Sequence, residues 1–275
     1  MPTRSEQRAA FLALHPWCVF CGGTEPATTV EHCPPKSLFQ FKHWPESFEF
    51  PACDSCNRGT GDQDAVVAML GRIHPDEGIG NVDGRIEGLI KNVNSQFPGL
   101  VHKMLPSHIE ARRRNRALGL KPGPGQLHQD IAPVSVPDEV NDAVKTFALK
   151  LSKAIYFRET NQAFANSGTV VMHWFTNVEL VRHGKYVLFE HLQSLVGQAP
   201  QLVRGGKFLN DQFEFKVSLS DDVQVFILQV LVGQSFGMII FASVVPGVLE
   251  QAMSKLQAKY RRDGPFEVLQ QRSVA

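Results

Sequence analysis

The spacing of apolar residues divides the chain into an amino-terminal half of short elements and a carboxy-terminal half of long ones. Over 138–157, Val140, Val144, Phe147, Leu151 and Ile155 recur every three or four residues, the period of a helix with one buried stripe. Over 213–219, Phe213, Phe215, Val217 and Leu219 alternate with polar neighbours, the period of a strand with one face on a core. Residues 169–176 read as a further strand and 186–196 as a helix. The stretch 223–249 carries no charge, but Gln224, Gln229 and the Gly233-Gln234-Ser235 break favour two buried strands over a membrane-spanning helix. These strands predict an antiparallel meander, followed by a helix opened by Pro246 and running to about Arg261.

Upstream, Thr3 and Glu6 have capping-box spacing ahead of a helix over 3–14 with Phe11, Leu12 and Leu14 on its apolar face. The β-branched run 28–32 predicts a strand that Pro34-Pro35 forbids from continuing, and 48–51 a second one. Residues 62–70 have the acidic first turn of a helix, for which Asp62 and Asp64 need no further role. Helices are also expected at 86–97 and, capped by Ser107 and Glu110, through Arg112-Arg113-Arg114-Asn115-Arg116. Pro122-Gly123-Pro124-Gly125 ends the last one, and the segment to Pro137 reads as a linker.

The chemistry lies among the short elements. Cys18-Val19-Phe20-Cys21 and Cys53-Asp54-Ser55-Cys56 supply four thiolates at metal-ligand spacing, enough to close a tetrahedral structural Zn²⁺ site with no position left for substrate. Cys33 is then surplus and reads as a buried thiol. Between the knuckles stand Glu31 and His32, and Asn57 follows the last cysteine directly. Adjacent strand residues face opposite sides, so a site shared by Glu31 and His32 requires a bend.

Two Cys-x-x-Cys knuckles, an acidic-His pair between them and an Asn after the last cysteine resemble the HNH, or ββα-metal, nuclease superfamily, in the zinc-knuckle branch typified by phage endonuclease VII. The resemblance covers residues 15–72. It implies a ββα module in which Glu31 and Asn57 hold a catalytic Mg²⁺ or Mn²⁺ and His32 is the general base hydrolysing DNA. The acidic position carries Glu where Asp is the more familiar occupant, and Ser47-Phe48 stands where many members have an Asn. The fold class expected is therefore α+β: an HNH module at 1–72, a helical basic connector at 73–137 and a carboxy-terminal α+β domain at 138–275. A catalytically silent zinc module that binds nucleic acid or protein is the alternative.

Composition adds limits. With 43% hydrophobic and 20% charged residues the chain is that of a folded globular protein, not a disordered one. Its net charge of +1 excludes a general polycation, and residues 1–72 carry six Lys or Arg against eight Asp or Glu. A DNA grip must be local: Lys36 and Arg58 beside the proposed site, or Arg112, Arg113, Arg114 and Arg116 in a segment (101–121) with six basic residues against Glu110. For each of these a solvated surface is the competing reading. The start of the chain lacks a basic stretch followed by an apolar core, and with the knuckle cysteines this predicts a reducing cytoplasm. The carboxy-terminal domain has no recognisable motif and is left substrate choice, homodimer formation or regulation.

Overall fold

The computed structural model describes residues 3–74, 77–260 and 266–269. In chain order the elements are α1 (Arg4–Leu14), β1 (Thr29–His32), β2 (Glu49–Ala52), α2 (Asp54–Arg58), α3 (Gly61–Leu70), α4 (Glu77–Gly80), α5 (Ile86–Gln96), α6 (Leu100–Met104), α7 (His108–Leu118) and α8 (Asp138–Thr160). They continue as β3 (Thr169–Thr176), α9 (Val178–His183), α10 (Val187–Leu192), β4 (Val203–Arg204), β5 (Lys207–Phe208), β6 (Glu214–Leu219), β7 (Val225–Val232), β8 (Phe236–Ser243), α11 (Val248–Tyr260) and β9 (Glu267–Leu269). The class is α+β with antiparallel pairing throughout.

Both expected capping boxes form, with Thr3 and Ser107 each accepting from the backbone of a glutamate whose carboxylate caps in return. The uncharged run becomes β7 and β8, and β8 sits centrally in a five-stranded sheet of order β6-β7-β8-β3-β9. Residues of both strands are buried on both faces, which is why the run lacks polar alternation. Among the described residues no helix is long and apolar enough to cross a membrane. The helix expected over 186–196 is shorter, giving way to a 3-10 turn at Gln193–Leu195. The expected end of the last helix at Arg261 lies outside the described residues.

Helix α8 is the central support, packing on α3 on one side and on β3 and β8 on the other. Most of the core is continuous: buried residues from Cys18 through Phe147 to Leu269 form one hydrophobic cluster, beside a smaller one of Phe175, Tyr186 and Ile239. Phe48, just before β2, packs its ring 6.3 Å from Phe213 and 5.9 Å from Phe215, which lead into and lie on β6. The expected boundaries at 72 and 137 thus fall in chain connections, while the zinc-knuckle segment and the large sheet share a core. Truncating any of these fully buried phenylalanines removes about 3–5 kcal/mol, a cost felt by both halves.

Candidate functional site

The four knuckle sulfurs, from Cys18, Cys21, Cys53 and Cys56, lie within 4.8 Å of one another and could hold a zinc ion. Backbone bonds set them there: Cys18 N donates to Glu25 O (2.9 Å), and Val19 N to Pro51 O (3.1 Å) on β2. Gly22 and Gly23 turn the first knuckle with φ of +68° and +79°, and a Cβ on Gly22 would meet the Asn166 amide nitrogen at 2.9 Å. A hydrogen bond from the Cys56 thiol pushes the Cys18 pKa down to about 5, so the cluster favours a thiolate. Cys33 stands outside it, fully buried, its thiol pKa pushed well up by burial. The carboxy-terminal half also grips this centre. Lys153 of α8 donates to Phe20 O (2.7 Å) and to Asn166 Oδ1 (3.1 Å), and Asn166 donates to Cys21 O (2.6 Å).

Four successive pairs, from Thr29↔Ala52 to His32↔Glu49, keep β1 and β2 in regular register. No bend intervenes between Glu31 and His32, the bend coming only at Cys33-Pro34, so the two face opposite sides. On the inner face Glu31 Oε1 accepts from Lys150 Nζ at 2.8 Å, and the same ammonium donates to Asp64 Oδ2 (2.7 Å) and Thr60 Oγ1 (2.9 Å). Burial works against the Lys150 charge, but Asp64 and Glu31 outweigh it and raise its pKa. Asn57 belongs to this face too, donating from Nδ2 to Thr29 Oγ1 (2.9 Å).

The expected union of Glu31, His32 and Asn57 around one metal is therefore not what the structure assembles. Glu31 has a side chain 8% exposed and already neutralised by an ammonium, while the histidine that would serve as base is on the other side of the strand. A hydrolytic Mg²⁺ or Mn²⁺ needs coordination positions open to water and phosphate, and the residues present do not fit such an ion held by Glu31 and Asn57.

On the outer face His32 is half-buried, its Nε2 3.1 Å from Glu49 Oε1 and its ring edge-on to Trp44 with centroids 5.1 Å apart. Because the carboxylate can only accept, Nε2 carries the proton and Nδ1 keeps the lone pair. Lys36 Nζ stands 3.7 Å from the centre of the Trp44 ring and the Arg204 guanidinium carbon 3.8 Å. Two cations that close to one ring centre must take opposite faces of the indole, with Arg204 also donating from Nε to Trp44 O. Among the described residues neither cation is within ion-pair distance of a carboxylate. Burial first, then the Lys36 charge, push the His32 pKa down to about 4, against the opposing pull of Glu49. This face thus combines a neutral imidazole with two positive charges and the one carboxylate of Glu49.

Comparison with known protein families, curated proteins and solved structures yielded no match. What the site can do follows from its own chemistry.

The other expected nucleic-acid residues separate clearly. Arg58 pairs with Asp54 at 2.9 Å on an exposed helix turn, the kind of surface bridge worth at most about 1 kcal/mol. Arg114 is structural: it donates to Pro133 O and to Ser135 Oγ, both at 2.8 Å, and so anchors the linker against α7. Arg112, Arg113 and Arg116 are exposed. If they hold a phosphate backbone, changing all three to Gln lowers affinity for every DNA sequence alike and reduces the salt slope by up to about 2.7, roughly 0.9 for each phosphate no longer neutralised. An unchanged slope in a salt titration by fluorescence anisotropy would return them to solvated surface.

No local pattern points to Glu49, Trp44 or Arg204: strand pairing brings Glu49 to His32, the loop before β2 brings Trp44, and the β4-β5 hairpin brings Arg204. Lys150 does leave a trace, since it lies three residues beyond Phe147 and so on the buried stripe of α8.

Proposed function

We propose that this chain is a zinc-scaffolded endonuclease of the HNH kind that works on nucleic-acid phosphodiesters from the outer face of β1. The observation that carries this reading is His32, neutral, oriented by Glu49 and set beside the unpaired charges of Lys36 and Arg204. A phosphodiester needs a base for the attacking water and positive charge on its non-bridging oxygens. In this reading His32 Nδ1 takes the proton of the water that attacks phosphorus, Glu49 holds the Nε2 proton and steadies the imidazolium that forms, and the leaving oxygen is protonated by solvent. Lys36 and Arg204 hold the phosphate. Zinc on the four cysteines would fix the hairpin that carries His32 and has no coordination position to offer the substrate. No step is assigned to a second metal.

The sealed state of Glu31 favours a second reading, a silent zinc module that binds nucleic acid through the same basic face. Incubating zinc-loaded protein with supercoiled plasmid and with labelled single-stranded, branched and RNA substrates, with and without added Mg²⁺ or Mn²⁺, separates the two. Cleavage supports the nuclease. Binding without cleavage of any substrate supports the silent module.

A further inference from the structure

The inner face of β1 is arranged as a cation site that already contains its cation. Glu31 of β1 and, from α3, Asp64 and the N-cap residue Thr60 present two carboxylates and a hydroxyl to one point, within 2.7–2.9 Å of Lys150 Nζ. An ammonium has three protons, and each finds an acceptor here. The same set of hard oxygens is what Mg²⁺ or Mn²⁺ prefers. We infer that Lys150 is the resident cation of this site: its ε-ammonium, delivered by α8, takes the place of a divalent ion between Glu31 and Asp64.

Charge and burial support the assignment. Glu31 and Asp64 are both buried, and two like charges brought to one point repel each other unless a positive charge lies between them. An alkyl-tethered ammonium supplies that charge at no cost in binding entropy and, unlike Mg²⁺, requires no water ligands. It also couples the zinc-knuckle segment to α8, since the residues it joins are 119 and 86 positions away in the chain. The site is reachable: Thr60 and Lys150 border a cavity of ≈ 640 Å³ that opens beside Cys56 and Lys153. A soluble ion therefore has a path to the oxygens once the ammonium is removed. Lying on the face opposite His32, the Lys150 site stands or falls separately from the nuclease reading.

The test is Mn²⁺ binding followed by electron paramagnetic resonance on zinc-loaded protein, with thermal melting in parallel. The wild type is expected to bind no Mn²⁺ beyond its zinc. Lys150→Ala is expected to melt lower, to gain one Mn²⁺ per chain and to recover part of its lost melting temperature when Mn²⁺ is added. Adding Glu31→Gln to that variant should abolish the gain. A folded Lys150→Ala that takes up no Mn²⁺ overturns the inference. Should that variant not fold alone, refolding it with Mn²⁺ decides: a cooperative melt recovered with Mn²⁺, but not in the variant that also carries Glu31→Gln, upholds the inference, and no recovery overturns it.

Discussion

Replacing Cys53 with serine is expected to release zinc and unfold the amino-terminal segment. The remaining three sulfurs cannot close a tetrahedral site, and structural zinc of this type contributes roughly 10–16 kcal/mol of apparent folding free energy. A domain's entire net stability is only about 5–15 kcal/mol, so the loss is not one that neighbouring contacts can absorb. The damage is expected to spread, because Phe48 and Phe50 beside the second knuckle belong to the same core as Phe213 and Phe215. Elemental analysis should find one zinc per wild-type chain and none in the variant, and the variant's melting transition should be lost or shifted far down. Wild-type protein purified without chelator and found free of zinc would refute the assignment.

The second large effect is on the chemical step. His32→Ala is expected to lower cleavage by about a hundredfold to ten-thousandfold, the usual cost of removing a general base, with zinc content and melting temperature close to wild type. The pH profile tells a base from a packing residue. Protonated His32 cannot accept a proton, so the rate falls on the acid side as pH drops through its pKa. With that pKa pushed down to about 4 by burial and by Lys36, the fall comes well below the ordinary histidine value of about 6.5. Lys36→Gln removes the second of the three causes, burial and the Arg204 charge remaining, and should move the midpoint up part of the way, besides weakening substrate binding. The same depressed pKa contributes stability that is present above about pH 6.5 and is lost as pH falls through about 4. Full activity in His32→Ala would remove His32 from the mechanism. Arg204→Gln complements these variants: a rise in KM with kcat held would assign it to phosphate binding alone.

What could be read from the sequence was whatever depends on neighbours along the chain. Capping at Thr3 and Ser107, the stripe of α8, the alternation in β6 and the four-cysteine spacing are local patterns, each with a period or spacing that specifies its element or its metal. The short hairpin β4-β5 and the edge strand β9 escaped because two or three residues cannot display a period. The pairing of Glu31 with His32 shows the limit most plainly. Their adjacency suggested a common site, and the alternation of strand side chains argued against it. Tertiary structure decided the matter, since the register with β2 keeps β1 regular and α8 delivers Lys150 to Glu31 from far along the chain. Asp64 changed meaning for the same reason, from an acidic helix start to a ligand of that ammonium. The continuous core was equally invisible, because an apolar face shows that it must be covered but not by what. Which partner covers each face, and which charge meets each buried carboxylate, depends on contacts between distant segments that no local pattern encodes.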